Sequence, residues 1–204
     1  LVIVMPLMIV IMTSNITLRT PDLYQYHFND SEIMNDLGYD ISEENMSKAI
    51  SDFLLSTKYE KFQVYEDNGI YQDPVFDALD SSAMEKARNV LNIELGIGIL
   101  CLILSLTIFV YFLKSGFKKA LRNRFKIIIP LTFVIIIGQA VCWTTKPIRS
   151  WLYAKLIGVT LAKDSELALV FSTGFTNTVA QFTTIIGILV LIIIWYICWT
   201  FIKP

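Results

Sequence analysis

The chain has 204 residues, of which 54% are hydrophobic and 17% charged, with a mean hydropathy of +0.57. That balance is too apolar for an ordinary soluble domain, and the apolar residues come in long blocks. The net charge of −1 conceals a separation: residues 13–94 carry 16 acids against 6 bases, whereas residues 114–126 hold six bases and no acid.

Residues 1–12 (LVIVMPLMIVIM) are uniformly apolar but shorter than the ~20 residues a spanning helix needs. The first residue is Leu, so the beginning of this span is expected to lie upstream. A signal peptide would show a charged leader and a small-residue cleavage site, and neither is visible, so a retained first span is the reading. Residues 13–94 then form an acidic domain. Within it, LRTPDLYQYH places a turn or cap at Thr20-Pro21-Asp22 before an aromatic run that holds His27, read as a surface loop histidine. Residues 41–61 are the clearest soluble helix: Ser42 precedes Glu43 and Glu44 in a favourable first turn. There Met46, Ile50, Phe53 and Leu54 make one apolar stripe at helical spacing. Residues 66–80 are rich in turn signals, with Asn68-Gly69 and Asp73-Pro74 as breakers.

A helix is expected from Ser81 or Ser82 into the second span, residues 95–113, which is uncharged and of membrane length. The basic stretch 114–126 that follows is expected to be a short cytoplasmic loop, which places Glu94 outside and Lys114 inside. Attraction to lipid headgroups accounts for its charge, and nucleic acid is not an expected partner. Residues 127–145 are a third span carrying Gln139, with Trp143 and Trp151 flanking its outer end. Residues 146–179 make a second outer loop with a partly interfacial approach, and residues 180–202 make the fourth span. The fold expected is an all-α integral membrane protein. It has four transmembrane helices, a helical extracytoplasmic domain between the first and second, and both termini in the cytoplasm.

Cys101, Cys142 and Cys198 all lie in apolar segments, without disulfide or metal spacing, and no cofactor or metal is expected. No span carries the ionisable residue that usually marks an ion path, which weighs against a channel or transporter. Polar side chains do lie toward the outer ends of the last two spans: Gln139, Asn177, Gln181, Thr183 and Thr184. They read either as helix–helix hydrogen bonds or as a polar pocket with Arg88, Arg149 and Lys155 at its rim.

In this order, LRTPDLYQYHF, ISEENMSKAISDFLL and VFDALDSSAMEKARNVL resemble the lipoprotein intramolecular transacylase (Lit) family of low-GC Gram-positive bacteria. SWLYAKLIGVTLAKDSEL matches more loosely, and the likeness runs over nearly the whole chain. The resemblance implies a bacterial cytoplasmic membrane protein that works at the outer face on a lipidated protein. Family members move an acyl chain from the sn-2 position of the diacylglyceryl group to the amine of the N-terminal Cys. They use one His in the helix entering the second span and another in the loop after the third. Here Ala83, just before Met84, stands at the first of these positions, and Tyr153 is the best counterpart of the second. Both family imidazoles are therefore absent. The resemblance then implies a non-catalytic accessory or binding protein, with a membrane lipid or a lipoprotein as ligand and a partner membrane subunit as an option. Its candidate ligand-binding residues are Arg88, Gln139, Arg149, Lys155 and Gln181. The alternative is a divergent acyltransferase built on Tyr153, Glu85 or His27, in which a base must free the amine and donors must stabilise a tetrahedral intermediate.

Overall fold

The computed structural model describes residues 1–29, 33–38, 41–56, 61–65, 74–156 and 165–202, with the side chains of residues 36, 152–156, 173 and 201 outside that description. The described residues contain no strand; their extended pairing is an antiparallel bridge between Tyr65 and Pro74. The helices in chain order are α1 (Val4–Leu18), α2 (Pro21–Asn29), α3 (Ile33–Leu37), α4 (Glu43–Leu55) and α5 (Ala78–Lys114). They continue with α6 (Lys118–Thr144), α7 (Lys146–Leu156), α8 (Glu166–Val170) and α9 (Thr173–Phe201). The chain divides into two compact units. An apolar unit comprises Leu1–Asn15, Ile93–Val141 and Gln181–Pro204, and a polar unit comprises Ile16–Asn92 and Cys142–Ala180.

Among the described residues three helices, α5, α6 and the Gly174–Thr200 stretch of α9, are long and apolar enough to cross a membrane, and most of each belongs to the apolar unit. At ~1.5 Å per residue α1 covers only about 22 Å, short of a ~30 Å hydrocarbon core. It is nonetheless well packed: Ile9, Ile136 and Leu191, from α1, α6 and α9, form one buried cluster. A second cluster joins Leu121, Phe125 and Ile128 of α6 to Ile202, with Met5, Phe109, Phe112 and Cys198 against it. On α5 a Cβ at Gly98 would stand 2.7 Å from the Met12 sulfur and 3.2 Å from Ile11, so the missing side chain lets α1 lie close. The outward faces stay apolar, with Leu100, Ile103, Val134, Ile192 and Ile193 all exposed. Such continuous apolar faces need a cover other than water.

The turn from α5 into α6 takes only Ser115, Gly116 and Phe117. Gly116 adopts φ +76°, its N–H donates to Leu113 O at 3.4 Å, and the Phe117 N–H donates to Phe112 O at 3.1 Å. This is a Schellman motif, completed by edge contact of the Phe112 and Phe117 rings at 6.2 Å. The basic stretch read as a loop is therefore helical from Lys118 onward. Lys, Arg, Ala and Leu are all good helix formers, and the reversal needs nothing beyond the glycine.

In the polar unit, Ser42 caps α4 by accepting the Asn45 N–H at 3.2 Å, and Met46, Ile50, Phe53 and Leu54 are buried. The helix stops at Leu55, six residues before the expected end. Phe62 returns to the core, its ring 5.0 Å from Phe53 and 4.9 Å from Phe76, and a continued helix would have carried it away. Pro21 opens α2 at the first helical position, where its lacking N–H costs nothing. The buried face of α2, Leu23, Tyr24, His27 and Phe28, packs beside α4.

Gly116→Ala should destabilise the protein by about 1 kcal/mol, because an L side chain is strained at positive φ. The check is the thermal unfolding midpoint of the full chain in detergent. An unchanged midpoint would mean the left-handed turn is not what closes α5 onto α6.

Candidate functional site

Among the described residues, the buried Arg19, His27, Asp80, Arg88 and Arg149 all fall in the polar unit. Asp77 caps α5 by accepting the Asp80 N–H at 2.6 Å. Asp80, on the first turn of α5, is buried. Its Oδ2 accepts the Leu167 N–H at 3.4 Å, and Ser165 gives it a side-chain hydrogen bond. Ser165 also caps α8 through the Ala168 N–H at 3.1 Å. One carboxylate thus holds the start of α5 to the start of α8. Burial pushes the Asp80 carboxyl above its ordinary 3.8, the Leu167 N–H pulls it back, and the Asp77 charge pushes it up further.

His27, expected on a surface loop, is 3% exposed on α2. Its Nε2 lies 3.2 Å from the Val170 carbonyl at the end of α8, so this nitrogen carries the proton and donates. The imidazole meets the Phe175 ring edge-on at 5.5 Å, and a Cβ at Gly174 would stand 3.2 Å from its Cε1. Phe171 and Phe175 extend the cluster to Tyr24, whose hydroxyl donates to Leu18 O at 2.7 Å. The burial was not visible in the local sequence, because Val170, Gly174 and Phe175, which cover His27 beside its neighbour Phe28, lie 143 positions or more along the chain.

Arg88 and Arg149, both candidate ligand-binding residues, are buried in this unit. The Arg88 guanidinium lies over the Phe53 ring at 4.3 Å, a cation–π contact between α5 and α4. Arg149 on α7 donates to the Thr176 hydroxyl at 2.8 Å. Arg19, which the sequence reading passed over, is buried as well. It donates to Asn92 Oδ1 at 2.7 Å, and its carbonyl accepts the Ser51 hydroxyl at 2.5 Å. These guanidiniums carry fixed positive charge and no titratable lone pair, so they can hold an anion but cannot act as a base.

The remaining candidates are dispersed. Glu85 is half-buried on α5. The side chains of Tyr153 and Lys155 on α7 lie outside the described residues. Gln139 and Gln181 belong to the apolar unit. There Gln139 donates to the Ser14 hydroxyl, a helix–helix hydrogen bond between α6 and α1, and Gln181 is exposed. Among the described residues no group of His, Cys, Asp and Glu side chains gathers to hold a metal.

Ala83 is 2% exposed and its neighbour Met84 1%. Ala83→His should overpack this core and lower stability by about 1–3 kcal/mol. Comparing denaturation midpoints of the two proteins tests it, and a midpoint within error of the parent would show spare room at residue 83. Asp80 supplies a pH signature. Because its pKa is raised on folding, the stability it contributes is full below the unfolded pKa and is lost as pH rises through the folded one. Asp80→Asn keeps an acceptor for the Leu167 N–H without the charge. Relative to the parent it should gain thermal stability between about pH 4 and about pH 7. Parallel melting curves at both pH values would separate Asp80 from that linkage. Compared with known proteins, the chain matches no family model, no curated protein and no solved structure.

Proposed function

We propose that the chain is a four-span protein of a bacterial cytoplasmic membrane, with α1 as its first span and the polar unit exported. In this reading it is a Lit-like protein that binds a membrane lipid or a lipoprotein N-terminus without acyl transfer, alone or beside a partner subunit. Three helices of spanning length and composition support the membrane setting, and their exposed apolar faces suit lipid as the surrounding solvent.

The observation that carries the non-catalytic reading is the place of the chain's single histidine. His27 is nearly inaccessible, and its Nε2 is engaged by the Val170 carbonyl. A general base must reach the proton it removes, within about 2.6–3.2 Å or through one water. An imidazole closed in by Phe28, Phe175 and Gly174 serves packing better than proton transfer. Arg88 and Arg149 supply the positive charge that an anionic headgroup would seek on the same unit.

The test is expression in a bacterium stripped of its own lipoprotein N-acylating enzymes, with mass spectrometry of the N-terminal peptide of a reporter lipoprotein. The expected product is the unchanged diacylglyceryl form while the protein is present and folded in the membrane fraction. An N-acylated, lyso-type product would overturn the non-catalytic reading in favour of a divergent acyltransferase. Tyr153→Phe, Glu85→Gln and His27→Ala would then find the base.

A further inference from the structure

The apolar unit holds a groove of about 540 Å³ between α6 and α9, lined by none of the candidate residues above. Arg122, Lys126, Ile129 and Pro130 form one wall, and Trp195, Cys198 and Trp199 the other. Each set follows helical spacing, so two ridges face one another along the helices. Arg122 lies 5.6 Å from the centre of the Trp199 ring, and Trp195 stacks obliquely on Trp199 at 6.1 Å. The groove is therefore cationic at one end, aromatic along one side and aliphatic beyond.

Two features specify the charge and shape of what fills it. Lys118, Lys119, Arg122, Arg124 and Lys126 all fall in the first turns of α6, with no acid in its first turn. Arg122 and Lys126 lie beyond the first turn, where the helix dipole has faded; four residues apart, they repel one another, and a nearby anion relieves them. Pro130 has no N–H, so the Lys126 carbonyl loses the donor that an uninterrupted helix would supply. An occupant with a phosphate, a neighbouring hydroxyl and a hydrocarbon tail would satisfy all of these at once.

We propose that this groove is a binding site for an anionic phospholipid of the adjacent leaflet. The phosphate sits between Arg122 and Lys126, a glycerol hydroxyl is placed to donate to the Lys126 carbonyl, and an acyl chain runs over Pro130, Ile129 and Trp195. Arg offers the planar fork and Lys the point charge that phosphate contacts commonly use. The proposal rests on the reading that the apolar unit lies in a membrane, and it is independent of whether the polar unit binds lipoprotein.

The experiment is native mass spectrometry of the full chain extracted in detergent and offered equal amounts of phosphatidylglycerol and phosphatidylcholine. Retention in the membrane fraction after alkaline carbonate washing reports the membrane reading separately. The parent should retain phosphatidylglycerol over phosphatidylcholine by about thirtyfold, the scale expected of two headgroup-facing cations. Arg122→Gln with Lys126→Gln should abolish most of that preference. Lys118→Gln with Lys119→Gln removes two cations of the same stretch that do not line the groove and should leave it intact. Equal retention of the two lipids by the parent overturns the proposal without any substitution. An equal loss in both double variants overturns it too, since diffuse charge would then be the cause. So does displacement of the lipid by millimolar inorganic phosphate alone, which would mark a simple anion site.

Discussion

A peptide group in hydrocarbon would have no water to bond with, and the apolar unit contains helices long and apolar enough to cross a membrane. Its long segments are helices because only there can each N–H and C=O find a partner within the segment. The hydroxyls obey the same rule. Thr13, Thr107, Thr132 and Thr200 each donate to the carbonyl four residues earlier, at 2.7–2.8 Å. Ser14 does so at 2.9 Å while accepting from Gln139. These polar side chains are thus absorbed by the backbone or by a neighbouring helix, whereas the buried Ser105 hydroxyl is not. That disposition favours cohesion over a hydrated path.

The polar unit meets a different problem. Its core holds Arg19, Arg88, Arg149, His27 and Asp80, groups whose burial is costly unless they are bonded. Each is met by a defined partner: a backbone group, a hydroxyl, an amide oxygen or an aromatic face. These contacts join elements far apart in the chain, α5 to α8 through Asp80 and α7 to α9 through Arg149. The aromatic residues around His27 supply the apolar area, and the polar contacts select one arrangement of it. A substitution that removes the acceptor at Asp80 or the donor at Arg149 would leave a buried partner without its bond, so such changes are costly whatever the ligand.

Much of this architecture was legible in the sequence where a single local pattern decides the outcome. Uncharged runs of membrane length became the long helices, and Ser42 with its following acids marked the start of α4. The failures share a cause. The end of α4, the burial of His27 and the enclosure of Asp80 all depend on residues that arrive from elsewhere in the chain, Phe62, Val170 and Leu167. No window around Leu55, His27 or Asp80 contains that information. The basic stretch misled for another reason: a dense run of cations reads as loop, yet its residues favour helix and Gly116 already supplies the turn. Of the candidate residues, Arg88 and Arg149 share the polar unit, whereas the bonding of Gln139 to Ser14 belongs to helix packing.

The three-residue turn at Gly116 bears on how such a protein could be made. So tight a reversal lets α5 and α6 enter a bilayer together as a helical hairpin, with neither helix waiting for a distant partner to satisfy its end. Lys114, Lys118 and Lys119 sit at the bend. Drawing them back through the hydrocarbon would cost about 2.5–3.5 kcal/mol for each ammonium at the centre. The hairpin would then be kinetically locked from the moment of insertion, its orientation fixed by a barrier instead of by the final balance of contacts.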